Sequence, residues 1–404
     1  MLRTWILLAS AVVLSAQSRT AADLAAFDQV WTTIRDTHWQ KDAPGGLDWN
    51  TMRAEYRPRV EAAVTRAEAQ AAMQEMLRRL KQTHFAIVPV ATYASLAEEG
   101  GSGTSGMDVR VLDGEVVVTS VDAGSPAERA GVKPGWVIRS VNGRALTIPE
   151  LPELPLTRAL LARLSGPVGG SIEVVFDTAT LKLDLGVGRG TLAEFGNLPA
   201  TRVWYDEKRL GSTAYVGFNM FLDIPRIIPS FEKTLKGCKP CDGLIVDLRG
   251  NPGGIGGMAM GMAGFLVDKA NQRLGTMFMR DATLNFVINP RAEVFSGPVA
   301  VLVDGNSAST AEIFAGGLQD LGRARVFGTR SAAAALPSVF TSLPTGDGFQ
   351  YAIAGYISQG GKSLEGEGVT PDEEVKLTKQ GLLAGHDAVI DAALAWIRKQ
   401  GAAK

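Results

Sequence analysis

From about Ala214 onward the chain repeats one pattern, a short and almost wholly apolar run followed by a stretch of helical spacing. The apolar runs are Tyr215-Val216-Gly217-Phe218, Leu244-Ile245-Val246-Asp247, Val299-Ala300-Val301-Leu302-Val303 and Arg325-Val326-Phe327, with helices expected around Phe231 to Leu235 and from about Ser309 to Leu321. A strand with no polar face must be covered on both sides, and crossover helices do this only for a largely parallel sheet. The reading is an α/β domain, whose chemistry collects at the carboxyl ends of its strands.

Two of those ends carry suitable residues. Asp247-Leu248-Arg249-Gly250-Asn251-Pro252-Gly253-Gly254 leaves a buried strand with glycines that let backbone N–H groups face a ligand. An ordinary glycine-rich turn has the same composition. Asp304-Gly305-Asn306-Ser307-Ala308-Ser309-Thr310-Ala311-Glu312 turns from a strand into a helix, so a hydroxyl there stands beside the positive end of the helix. Ser307, Ser309 and Thr310 are equally good helix caps.

Ahead of this domain the patterning changes. Leu24, Phe27, Trp31 and Ile34 recur at helical spacing, as do Ala69, Met73, Met76, Leu77 and Leu80, and Thr65 with Glu68 fits a capping box. Phe85 to Val90 reads as a strand, which puts His84 at a helix-to-strand junction. Glu98-Glu99-Gly100-Gly101-Ser102-Gly103 reads as a linker. Beyond it lie short strands at Val116 to Val118, Trp136 to Ile138 and Ile172 to Phe176, a short helix opened by Ser125-Pro126-Ala127, and a second helix with a glycine turn over Leu160 to Gly170.

The first residues have the form of an export signal. Arg3 supplies the charge, Trp5 to Leu14 the apolar stretch and Leu14-Ser15-Ala16 the small-residue cleavage site, so residues 1–16 are expected to be removed. No stable membrane span is expected afterwards. With 41 basic and 42 acidic side chains, the 404-residue chain has no positive field to collect a nucleic acid. Its two cysteines, Cys238 and Cys241, lie just before a strand rather than at a helix start, which favours a structural turn or disulfide over redox chemistry.

Taken together, Asp247 to Gly254, Ser307-Ala308-Ser309-Thr310-Ala311-Glu312 and Glu365-Gly366-Glu367-Gly368-Val369-Thr370-Pro371-Asp372 resemble the S41 peptidase family of C-terminal processing and tricorn-like proteases. Ser105-Gly106-Met107-Asp108-Val109, Gly124-Ser125-Pro126-Ala127 and Gly131-Val132-Lys133-Pro134-Gly135 resemble the PDZ domain that these proteins insert ahead of their protease core. The resemblance implies a multidomain α+β protein with an N-terminal helical segment over residues 20–98, a PDZ-like β-rich domain over 103–188 and a ClpP/crotonase-like α/β core over 189–400. It also implies an exported serine peptidase acting on polypeptides through an acyl-enzyme, with no metal or organic cofactor.

By motif position, Ser309 is the expected nucleophile, and Thr310 and a glycine of the Pro252-Gly253-Gly254 turn are the expected oxyanion donors, Gly253 first and Gly254 next. Processing proteases place a basic lysine about two dozen residues later, but this chain has Ala334 there, and a methyl group accepts no proton. The tricorn-like branch uses a histidine ahead of the PDZ domain, matched here by Thr83-His84, with Glu365 as its distant support and Glu367 as the alternative. His38 and His386 read as surface or capping residues. In the PDZ-like module, Gly106, Met107 and Val109 are the expected lining for a polypeptide end. A catalytically silent peptide-binding scaffold is the second reading, motivated by Ala334 and the run from Ala332 to Ala335.

Overall fold

The computed structural model describes residues 2–90, 103–196, 198–238 and 240–402, so most of the expected linker lies outside the described residues. The chain divides into two compact units, one of residues 1–94, 277–284 and 336–356, the other of the remaining segments. Among the described residues no helix is long and apolar enough to cross a membrane.

The first unit is built on three helices, Leu2–Thr37, Trp49–Ala62 and Arg66–Arg78. Their apolar stripes meet in a core of Phe27, Val30, Ile34, Tyr56, Met73, Met76 and Leu77. Each indole N–H of Trp31 and Trp49 donates to the other residue's carbonyl, at 2.8 and 2.9 Å, which satisfies two buried donors at once. Thr65 caps the third helix through the Glu68 N–H, while the Glu68 carboxylate reaches back to the Val64 N–H. The chain then enters the strand Ala86–Val88, which pairs antiparallel with Gly348–Ala352.

The second unit begins with an antiparallel module whose strands run in the order Met107–Leu112, Glu115–Val121, Val137–Val141, Ser171–Phe176 and Thr180–Asp184. Its core is aliphatic, with Val109, Val116, Val118, Ile138, Val174 and Leu183. The helix expected over Leu160 to Gly170 instead spans Glu153–Arg163. Pro152 and Pro155 obscured its start, yet proline is tolerated at a helix entrance, where the missing N–H has no intrahelical partner to lose.

The α/β core follows, its sheet ordered Tyr205–Leu210, Thr213–Phe218, Gly243–Asp247, Val299–Val303, Arg325–Gly328 and Glu373–Glu374. Only the first pair is antiparallel. Gly243–Asp247 and Val299–Val303 are buried at every residue, as their apolar character requires. The helix Ala388–Ala402 covers one face with Val389, Ala393 and Ile397 against Ile245, Ala300, Leu302 and Phe327. Cys238 and Cys241 form a disulfide in the turn before the Gly243–Asp247 strand.

Candidate active site

The Val299–Val303 strand ends in the turn from Asp304 to Ala308, and the helix Thr310–Asp320 starts one residue later. Ser309 stands at the corner with φ 55° and ψ −119°, a conformation that the Cβ of an L-residue resists. The surroundings impose it. The Ser309 N–H donates to the Ala334 carbonyl at 2.7 Å and to the Glu312 carboxylate at 3.0 Å. Next door, the Ala308 N–H donates to the Asn251 carbonyl at 3.0 Å, and the Ser307 hydroxyl donates to the Leu248 carbonyl at 2.7 Å. The hydroxyl corner and the glycine turn are thus laced into one element.

Gly253 is the point of closest approach. A Cβ there would lie 2.7 Å from the Ser309 Cβ and 2.8 Å from the Thr310 nitrogen, so only glycine fits. Gly253→Ala is expected to cut turnover at least about a hundredfold through displacement of the corner, measured as kcat on a protein whose circular dichroism is unchanged.

The two glycines differ in what their N–H groups do. That of Gly253 donates to the Asn251 side chain at 2.9 Å. Those of Gly254 and Thr310 donate to no described group, and the Thr310 hydroxyl donates to the Gly254 carbonyl at 2.7 Å, tying the two residues together. In this arrangement Gly254, the second choice on sequence, is the glycine with a donor to offer, and Thr310 adds one at the positive end of its helix.

Glu312 forms the floor. It is fully buried, and its carboxylate accepts from Ser309 N–H, Ser331 hydroxyl at 2.5 Å, and the Ala333 and Ala334 N–H groups at 3.0 Å each. Burial pushes its carboxyl up to about 7, although the four donors pull the other way. The folded state therefore holds a proton that the unfolded chain releases near 4.5, so this group's contribution to stability is full below pH 4.5 and is lost as pH rises through about 7. Removing it by Glu312→Gln is expected to flatten the stability difference between pH 5 and pH 8 by up to about 3 kcal/mol, read from urea unfolding.

Ala334 contributes backbone at this corner, its carbonyl holding Ser309 and its N–H holding Glu312. The adjacent Ala335 N–H donates to the half-buried Glu365 carboxylate at 3.1 Å, whereas Glu367 is exposed beside a surface hollow lined by Arg330 and Lys362.

In the first unit, the Thr83 hydroxyl lies 2.7 Å from His84 Nδ1, and His84 has φ 63° just before the Ala86–Val88 strand. His386 is exposed, 3.6 Å from Asp391. His38 is not a surface residue. It is completely buried and stacked on Trp39 with ring centroids 4.0 Å apart, because its aromatic neighbours cover the ring and both its nitrogens find partners.

In the antiparallel module, Met107–Leu112 is an edge strand. The side chains of Met107 and Val109 are buried in the core, so the outer edge of this strand presents backbone groups rather than those side chains. Gly106 has φ 82°, and a Cβ there would clash with Ser125. Sequence reasoning missed Arg110, an arginine inside an aliphatic strand, which is the only signal it gives. Its Nε donates to Asp304 at 2.9 Å, and the same carboxylate accepts from the Gly250 and Asn306 N–H groups at 2.9 and 3.0 Å. Burial raises the Asp304 carboxyl, but Arg110 and the Gly250 N–H hold it below the usual carboxylate range.

Residues 212–375 match peptidase family S41, residues 23–78 the tricorn protease C1 domain and residues 117–154 the PDZ domain. The carboxy-terminal processing protease CtpA of Bacillus subtilis (strain 168) is 26% identical over 288 residues, covering 70% of this chain and 58% of that protein. A CtpA-like serine protease of Staphylococcus aureus (strain N315) is 26% identical, with coverage of 77% and 60%. The chain thus spans about three fifths of the length of these relatives. Among solved structures, the photosystem II D1 C-terminal processing protease aligns with TM-score 0.61 at 22% identity over 91% of this chain and 98% of that one. The tricorn protease aligns with TM-score 0.53 at 18% identity over 94% of this chain and 37% of that one. These structures share the fold.

Proposed function

Because this chain is an S41-family member carrying a tricorn-type C1 domain and a PDZ domain, we propose that it hydrolyses peptide bonds through an acyl-enzyme on Ser309. The observation that carries the reading is the corner itself. A half-buried serine is held in a strained conformation beside two N–H groups, of Gly254 and Thr310, that donate to no described group. Such donors offset the charge of a tetrahedral intermediate, about 3 to 4 kcal/mol for each in other acyl-transfer enzymes.

In this mechanism His84 is the base in place of lysine. The Ser309 oxygen attacks the substrate carbonyl carbon as its proton passes to the imidazole, and that proton goes on to the departing amine. Water then attacks the acyl-enzyme with His84 again accepting the proton, and Ser309 is regenerated. Thr83 orients the ring through Nδ1, and Glu365 supports that pair. The PDZ domain binds the end of the polypeptide, and neither a metal nor an organic cofactor takes part. The work is done outside the cytoplasm after removal of residues 1–16, and N-terminal sequencing of the protein from fractionated cells tests that step.

Mapping a fluorophosphonate adduct by peptide mass spectrometry tests the chemistry: the adduct is expected on Ser309, and an unlabelled protein that still binds peptide would favour the silent scaffold. The buried Ala334 methyl at the position of the family lysine is what keeps that second reading in view.

A further inference from the structure

The loop between the helix Arg66–Arg78 and the strand Ala86–Val88 carries Thr83 and His84, with left-handed backbone at both Lys81 and His84. Such a loop needs outside restraint. His38 supplies it. Its Nδ1 accepts the Gln40 backbone N–H at 3.1 Å, which leaves Nε2 as the protonated nitrogen, donating to the Gln82 side-chain Oε1 at 2.9 Å. The Gln82 amide in turn donates to Gln40 Oε1 at 3.2 Å, closing a ring of bonds through the His38 and Gln82 side chains and both the side chain and the backbone N–H of Gln40. On the far side of Thr83 and His84, Phe85 stacks on the same imidazole with centroids 5.9 Å apart. One buried ring therefore holds both ends of the Gln82 to Phe85 segment.

We propose that His38 is the positioning residue for Thr83 and His84, anchoring their loop through Gln82 and Phe85 when neutral and releasing it when protonated. This rests on the reading of His84 as the base. A second proton on His38 would convert Nδ1 from an acceptor into a donor aimed at the Gln40 N–H, inside a site with no water contact. Burial outweighs the Gln82 Oε1 acceptor, which favours the charged ring. Trp39, Gln40, Gln82 and Phe85 are neutral, and the facing charged group, Arg280 of the 277–284 segment, donates to the His38 carbonyl at 3.1 Å and is itself positive. Arg35 pairs with Asp36, and Lys41 with Asp281, all in exposed positions. Burial accordingly depresses the ring's basicity, with Arg280 adding to the effect.

The test compares the full chain with His38→Gln, which keeps a donor toward Gln82 but does not titrate, and with His38→Leu, which keeps neither. Hydrogen exchange of the 82–85 amides and the pH dependence of fluorophosphonate labelling are the two readouts. Wild type should lose protection at 82–85 on acidification, measured against the intrinsic exchange rate at each pH, and show a labelling rate whose acid limb approaches a slope of about 2, one proton from each histidine. His38→Gln should keep its exchange protection on acidification and show a slope of about 1. His38→Leu should exchange faster at all pH values and label roughly 10- to 100-fold more slowly at neutral pH. Protection at 82–85 that does not change on acidification in wild type, or identical protection in wild type and His38→Gln, would overturn the proposal, and this holds even if His38→Leu fails to fold. If exchange follows His38 while labelling ignores His84, the positioning role stands and the assignment of His84 as base falls.

Discussion

Ser309→Ala is expected to lower turnover by about ten-thousandfold or more, to the level of residual binding and oxyanion stabilisation alone. The loss is chemical, since deleting one oxygen leaves the corner's backbone bonds to Ala334 and Glu312 in place. Unfolding free energy should change by no more than about 1 kcal/mol, the usual worth of a cap side chain. Binding of a peptide to the PDZ domain should be unchanged. Steady-state kinetics, urea unfolding and a peptide titration on the same preparation separate these three effects, and turnover that survives the substitution would remove Ser309 from the mechanism.

His84→Gln is the second large effect, expected to lower kcat by about a hundred- to ten-thousandfold. Glutamine keeps a polar group within reach of the Thr83 hydroxyl, so the loop retains its local bond, but an amide does not take a proton. The pH profile carries the sharper information. A wild-type rate governed by an imidazole base rises with pH on its acid side, and that limb should disappear in the variant, leaving a slow and nearly flat profile. Thr83→Val, which removes the hydroxyl and keeps the bulk, should cost far less than His84→Gln.

The parts of the fold that were legible in the sequence are those decided by periodicity and burial. Val299 to Val303 and Leu244 to Val246 have no polar face, which points to covered strands of a parallel sheet, and the motifs at their ends located the glycine turn and the serine corner. What was not legible depends on partners distant in the chain. Proline signals hid the first turn of Glu153–Arg163, where proline does no harm. His38 stands in the polar string Asp36-Thr37-His38-Trp39-Gln40-Lys41-Asp42, and its burial comes from Phe85 and Gln82, more than 40 residues on. The contrast between Gly253 and Gly254 turns on the rotamer of Asn251, and the Arg110 to Asp304 bridge spans a sequence separation of 194 residues.

The central claim is that an imidazole activates the Ser309 hydroxyl. Its most direct test is the second-order rate of fluorophosphonate labelling across pH 5 to 9, in wild type and in His84→Gln. The account requires wild type to label at Ser309 with a rate that climbs with pH to a plateau, and the variant to stay at least about a hundredfold below that plateau. A variant that labels at the wild-type rate throughout would contradict it.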